Sequence, residues 1–587
     1  MLRLLKYLNK RDWVFILLCA GLVVFQVYCD LTMPDYTAEL MRQVVILRQT
    51  GASVPMSVVL ENGGIMLAYA VGSLASSILC GFFAAYTAAD FARNLRKAMF
   101  ERVTSFSAAE INKFGTPSLI TRTTNDVVQL QTFIAIGLQL MIKAPVLAVW
   151  AICKVSSTAL EWTVATIITV AAIVLVVGIL VGVCFPKFRK IQKLTDALNN
   201  SMRENVTGVR VVRAFNAEAY QTEKFENVND SVRKNHLFTA RGLGLMMPVM
   251  QLCMNGLTLA IYWIGAILIN RTSVIESRLE LYGSMAVFMQ YALQVVMAFM
   301  LLIMIFMILP RSLVSARRLR DVLETHRSVR SGSVKDGTGE DPLVEFDGVS
   351  FAYDHSDKKT VSDISFTVNR GETVAFIGAT GSGKSTVINL IERFYDADGG
   401  EVRFDGVNVK EYDEEVLRNR ISLASQRAVL FKGDIEDNVA YGTADEPNEE
   451  KMKKALEIAC AAEFVNGLPE GVKAPVAQDG TNFSGGQRQR LSIARAVYKN
   501  AELMIFDDTF SALDYKTDML VRKSIRENIP DATVIIVAQR IGTIMNADKI
   551  IVLDEGRIVG QGTHKELLDN CPIYKEIALS QLSKEEL

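Results

Sequence analysis

At 587 residues the chain is too long for one domain and suits two large ones or more. Charge is balanced, 63 Lys and Arg against 64 Asp and Glu, so nothing in it points to nucleic acid as a partner. Half of the residues are apolar, and they are unevenly placed. Long apolar runs fill residues 1 to about 310, whereas 343–587 reads as a soluble α/β domain. The eight cysteines are scattered without CxxC or metal-ligand spacing, which favours buried free thiols over a disulfide framework.

The first segment, MLRLLKYLNKRDW, is basic but carries no cleavable small-residue site, and reads as a short amphipathic helix on the inner membrane surface. Six stretches then reach the roughly 20 apolar residues that a membrane-spanning helix needs: 13–34, 64–90, 133–155, 162–185, 243–269 and 284–309. Lys and Arg set their orientation. Arg93, Arg96, Lys97 and Arg102 follow the second span, Lys187, Arg189, Lys190 and Lys193 the fourth, and Arg311, Arg317, Arg318 and Arg320 the sixth. Both termini are therefore expected on the cytoplasmic side. The cytoplasmic connections, 91–132 and 186–242, have helical apolar spacing and should extend the bundle beyond the bilayer. Within the spans, Gln139, Lys143, Gln251, Asn255, Gln290 and Gln294 are polar groups at membrane depth, which usually face a bundle interior. Lys143 precedes Ala144-Pro145, so it either satisfies carbonyls freed by the proline or meets cargo; Asp30 either pairs with a cationic substrate or caps a helix. Ten methionines between Met246 and Met307 suit either an adaptable cavity or ordinary helix packing.

Residues 1–326 thus form an expected all-α membrane domain, and 327–342, RSVRSGSVKDGTGEDP, reads as a polar linker. In the expected α/β domain, 343–587, TVAFIGATGSGKST is a strand, a glycine loop and a helix start. Gly378-x-x-x-x-Gly383-Lys384-Ser385 is a P-loop in the right context. Its backbone N–H groups, through Thr380, Gly381, Ser382 and Gly383 to Thr386, would close around phosphates. Lys384 would reach the β- and γ-phosphates of ATP, and Ser385 would bind Mg²⁺.

NFSGGQRQRLSIARA, from Asn482, resembles the signature motif of ABC ATPases, with Phe483 where leucine is commoner. The resemblance extends over nearly the whole chain, to a six-span bundle fused to one P-loop ATPase domain, the half-transporter arrangement of ABC exporters. It implies that Tyr353 stacks on adenine, that Gln426 senses the γ-phosphate through Mg²⁺, that Asp507 organises Mg²⁺, and that Asp514 lies in the D-loop. It also implies a dimer, in which Ser484, Gly485, Gly486 and Gln487 face ATP on the partner's P-loop.

Two positions depart from that pattern. Asp508 stands where the family has the glutamate that polarises water. Aspartate is one methylene shorter, and misplacement by about 1 Å can cost about 10²-fold in rate. Gln539 stands at the switch histidine and cannot take on positive charge. Gln478, before the signature, is a third candidate departure. The signature itself is intact. The pattern resembles the degenerate-site subunit of heterodimeric bacterial multidrug exporters. The expected function is ATP-driven export of amphipathic drugs or lipids across the bacterial plasma membrane, beside a second, non-identical half-transporter. The alternatives are an ATP-gated sensor or channel and a slow homodimeric exporter.

Overall fold

The computed structural model describes residues 2–49, 55–156, 160–272, 275–354, 358–443 and 446–582. The chain divides into two compact units, Met1–Arg102 with Leu119–Glu324, and Val103–Ser118 with Thr325–Leu587.

The first unit is helical. In chain order the helices are α1 (Lys10–Gln49), α2 (Met56–Thr104), α3 (Ala108–Phe114), α4 (Thr116–Thr121), α5 (Val127–Ser156), α6 (Leu160–Thr207), α7 (Val209–Ala214), α8 (Glu218–Gly244), α9 (Met246–Arg271) and α10 (Ile275–Glu324). Among the described residues six helical segments are long and apolar enough to cross a membrane. The 48 residues of α6 measure about 72 Å at about 1.5 Å per residue, more than twice the roughly 30 Å hydrocarbon thickness. The apolar stretch therefore occupies only part of the helix, and the polar remainder continues it without a break.

Packing inside this unit uses Val23, Val27 and Leu31 of α1, Leu147 and Ala151 of α5, and Phe288, Ala292 and Val296 of α10, all buried. Trp162 of α6 packs on Phe288, ring centroids 5.3 Å apart. A Cβ on Gly265 would lie 2.4 Å from the Met285 sulfur, so any side chain there would have to displace that thioether. Most polar groups at membrane depth are paired, as low-dielectric surroundings demand. Lys143 lies 3.5 Å from Asp30, and Asp30 accepts from Ser73 at 2.6 Å. The two residues singled out at this depth in the sequence are thus each other's partners. Lys154 pairs with Asp35 at 2.7 Å, and Tyr291 also donates to Asp35.

The second unit contains three sheets. Its strands are β1 (Val344–Phe351), β2 (Val361–Val368), β3 (Thr373–Ile377), β4 (Gly399–Phe404), β5 (Val407–Asn408), β6 (Ile421–Ala424), β7 (Gly433–Asp434), β8 (Pro475–Val476), β9 (Leu503–Asp507), β10 (Thr533–Val537), β11 (Lys549–Asp554) and β12 (Arg557–Gly562). A four-stranded sheet runs β2-β1-β4-β5, a six-stranded one β12-β11-β3-β10-β9-β6, and β7 pairs with β8. In the six-stranded sheet β11, β3, β10, β9 and β6 are parallel. The apolar runs VAFI, LMIF and VIIV are buried on both faces, the usual state of central parallel strands.

Two boundaries differ from the sequence reading. Residues 103–118, expected in a membrane domain of 1–326, belong to the ATPase unit. The Glu110 carboxylate there accepts from the backbone N–H of both Ser107 and Ser328, each at 3.0 Å. Asn112 donates to the Tyr395 hydroxyl at 2.9 Å. The segment 327–342, read as a linker, is bonded rather than free. Gly332 donates to the Tyr412 carbonyl at 2.8 Å, Ser333 to Glu411 at 2.9 Å and Thr338 to Asp405 at 2.9 Å. The buried Arg393 donates to the Arg330 carbonyl at 2.6 Å. Polar composition marked this stretch as a tether, but its backbone groups find partners along the 405–414 edge.

Candidate functional site

Parallel register gathers the site. Val537 of β10 pairs with Asp507 of β9, Ala424 of β6 with Phe506, and Val537 with Phe376 of β3. Four adjacent strands therefore end together, and their next residues, Gly378, Ser425-Gln426, Asp508 and Ala538-Gln539, emerge at one edge. The crevice beyond the carboxyl ends of strands is the general ligand position in such sheets.

The P-loop leaves β3 and enters the helix Lys384–Ile391. Gly378, at φ 153°, passes so close to β11 that a Cβ would sit 2.0 Å from the Leu553 carbonyl oxygen. Gly383 is left-handed, φ 101°, as N-cap of the helix. Thr380 and Gly381 are exposed, and Ser382, Lys384 and Thr386 are buried. The Lys384 ammonium donates to the carbonyls of Gly378 and Ala379, at 2.9 and 2.8 Å, and to Ser382 at 3.3 Å. Burial pulls its pKa below the ordinary lysine value, while Asp508 and Asp507 oppose that. The loop is thus folded around a cation, with helix N–H groups beside it, and this suits a polyphosphate.

Ser385 donates to Asp507 at 3.4 Å. Burial raises the Asp507 pKa and Asp508 adds to it, against the Ser385 hydroxyl and Lys384. Among the described residues no three His, Cys, Asp or Glu side chains converge on a metal position. One hydroxyl and one carboxylate are hard oxygen donors, and that sparse set fits Mg²⁺, which is commonly held by one or two carboxylates plus substrate phosphates.

Asp508 follows directly, buried and left-handed at φ 46°. Its N–H donates to Val537 at 2.9 Å, and its carbonyl accepts from Ser511 at 2.7 Å. One carboxylate oxygen, Oδ2, accepts from Gln426 at 3.1 Å and from Gln539 at 2.9 Å. The departing positions Asp508 and Gln539 therefore touch each other, and Gln426 turns its amide to Asp508 rather than to Ser385. Gln581 fixes the Gln539 main chain by donating to its carbonyl at 2.8 Å.

Tyr353 stands edge-on to Phe351 and Tyr395, centroids 5.0 and 5.1 Å away. Its hydroxyl lies 3.2 Å from Thr386 and accepts from Asn389 at 3.3 Å. Tyr395 was not singled out in the sequence, although an aromatic four residues beyond the P-loop helix was a readable cue. Asp514 lies outside this cluster. It caps the helix Tyr515–Asn528, accepting from the Thr517 N–H at 3.0 Å and hydroxyl at 2.7 Å. The signature adjoins this cluster, and its Gly485 lines one recess together with Gln426. Ser484 caps the helix Gly485–Lys499 in a reciprocal box with Gln487. Ser484 and Gly485 are exposed, Gly486 is half-buried, and Phe483 is buried near Phe464, 6.4 Å between centroids. Gln478 begins the turn before it, and its carbonyl accepts from Thr481 at 3.3 Å.

Residues 16–299 match the ABC transporter transmembrane region and residues 361–511 the ABC transporter family. An uncharacterized ABC transporter ATP-binding protein of Mycobacterium tuberculosis, MT1311, is 38% identical over 94% of this chain and 93% of its own length. The ATP-dependent lipid A-core flippase of Bordetella pertussis is 31% identical over 86% of this chain and 81% of its own. A bacterial Atm1-family ABC exporter solved with ATP bound superposes with a TM-score of 0.79 at 23% identity, covering 98% of this chain and 100% of that one, a likeness of fold.

Proposed function

This chain belongs to the ABC transporter family, as an ATP-driven exporter half with its own ATPase domain, and on that premise we propose that it pairs with a non-identical half-transporter to export amphipathic small molecules. In this reading both termini are cytoplasmic, and the chain holds ATP at a site that hydrolyses poorly while its signature motif completes the partner's site.

One observation carries the proposal. The carboxylate at the base position, Asp508, has its Oδ2 engaged by two side-chain amides, Gln426 and Gln539. A carboxylate oxygen offers about two lone-pair sites, so Oδ2 is filled and only Oδ1 is left for an attacking water. Gln539 is spent on the carboxylate, and as an amide it adds no positive charge toward a γ-phosphate. Lys384 and the loop N–H groups remain suited to binding. Ser385 and Asp507 would hold Mg²⁺, which supplies charge neutralisation to the phosphates when bound. Ser484 and the first N–H groups of its helix are exposed and ready for a nucleotide on another subunit.

The test is to purify the chain alone and together with a non-identical half-transporter co-expressed from the same genome, and to measure ATPase activity and ATP-dependent flux in proteoliposomes. The single chain should turn over slowly and the pair should pump. Equal cooperative turnover by the single chain would establish a homodimer instead. Nucleotide-gated ion conductance without flux would establish a channel or sensor.

A further inference from the structure

A recess of about 600 Å³ opens in the helical unit, and its polar wall is made of Gln26, Ser77, Gln139, Lys143, Gln290 and Gln294. The sequence marked four of these at membrane depth, and the fold brings them together and adds Gln26. Gln251 and Asn255, marked with them, instead bond each other at 3.2 Å.

The placement is systematic. Gln26 and Asp30 of α1, Gln139 and Lys143 of α5, and Gln290 and Gln294 of α10 are each four residues apart, hence on one helix face. Lys143 and Asp30 neutralise one another as an ion pair at 3.5 Å. The glutamines have no such partners: among the described residues no hydrogen bond within the chain engages the side chain of Gln26, Gln139, Gln290 or Gln294. Amides left unpaired at this depth are costly, and polar residues kept inside membrane segments usually mark a pathway or binding site. Val23, Leu140, Leu147, Leu293, Met297 and Leu301 supply the apolar remainder of the wall, and the volume is that of ordinary small-molecule sites.

We propose that this recess is a binding site for an amphipathic molecule whose head is uncharged and rich in paired donors and acceptors, an amide or a polyol. Each glutamine both donates and accepts, so the four amides match groups that do the same. The Asp30–Lys143 pair leaves no net charge to reward an anionic or cationic head. The inference rests on the export reading for the direction of transport, but not for binding.

The experiment uses the assembled transporter in lipid nanodiscs without ATP. Four radiolabelled probes share a dodecyl or dodecanoyl chain: N-dodecanoyl-glycylglycinamide, dodecyl glucoside, dodecyl phosphate and dodecyltrimethylammonium. One or both neutral probes should bind saturably, and the charged two at least about tenfold more weakly. Saturation by the amide or by the glucoside assigns the head as amide or polyol. Gln139→Leu combined with Gln294→Leu should weaken neutral-probe binding by about tenfold or more. Gln251→Leu, outside the recess, should leave it unchanged, and an unaltered unfolding midpoint with retained subunit assembly reports a folded variant. Should the double variant fail to fold, Gln290→Met carries the same expectation alone. Equal binding of charged and neutral heads, no saturable binding of either neutral probe, or unaltered binding by the recess variants would overturn the proposal. Intact binding without ATP-dependent flux would refute export and leave the site standing.

Discussion

Replacing Ser484 with arginine is expected to suppress the assembled transporter far more than replacing Asp508 with alanine. Two effects act at Ser484 and can be separated. Its hydroxyl accepts from the Gln487 N–H at 3.3 Å, and Gln487 answers to the Ser484 N–H at 2.9 Å. Losing that cap costs about 1 kcal/mol of helix stability, a shift of about 2–4 °C in unfolding midpoint for a domain of this size. The unfolding midpoint of Ser484→Ala measures this term without added bulk. The second effect is catalytic. Preorganised donors aimed at developing charge are typically worth about 10²–10³ in rate each, and arginine at this exposed cap also obstructs approach of a second subunit. At Asp508 a general base would normally contribute about 10²–10⁴, but its Oδ2 is engaged by Gln426 and Gln539, so alanine has little left to remove. Both amides are exposed and can turn to solvent. The assay is steady-state ATP hydrolysis by the mixed complex at saturating ATP, with unfolding midpoints recorded alongside. A larger loss for Asp508→Ala than for Ser484→Arg would refute the assignment of the working site and favour a homodimer.

Restoring the departed positions should act in the opposite direction. Asp508→Glu with Gln539→His lengthens the carboxylate and frees it from the second amide, and should raise turnover of the single chain by about 10²-fold; unchanged turnover would place the defect elsewhere. Tyr353→Ala should weaken ATP binding by the roughly 1–3 kcal/mol of base stacking, whereas Tyr353→Phe, which loses only the hydroxyl contacts to Thr386 and Asn389, should bind nearly as well in a fluorescent-nucleotide titration. Burial pushes the Glu392 carboxyl up to about 8, against the opposing charges of Arg418 and Lys499. The native chain therefore keeps a proton that the unfolded chain loses near 4.5, so this group makes stability fall as pH rises between those values and level off above about 8. Glu392→Gln should flatten that slope in unfolding midpoints of the full chain measured from pH 5 to 9; an unaltered slope would show that Glu392 is not its source.

What the sequence determined by itself is what is local along the chain. An apolar run long enough to cross a bilayer is visible residue by residue, and so is the glycine loop from Gly378 to Ser385 between a strand and a helix start. The signature box from Ser484 to Gln487 spans only four residues. The tertiary structure alone decided which distant side chains meet. Gln426, Asp508 and Gln539 join because β6, β9 and β10 are neighbours in parallel register, and nothing along a separation of 82 positions announces the first contact. Likewise the sequence marked glutamines at membrane depth without distinguishing the bonded Gln251 from the unbonded Gln139, and it could not assign 103–118 to the ATPase unit. Hydrophobic periodicity reports which face of an element is covered, but not by what. Partner choice is set by strand order and helix rotation, and these are fixed by the packing of the whole core.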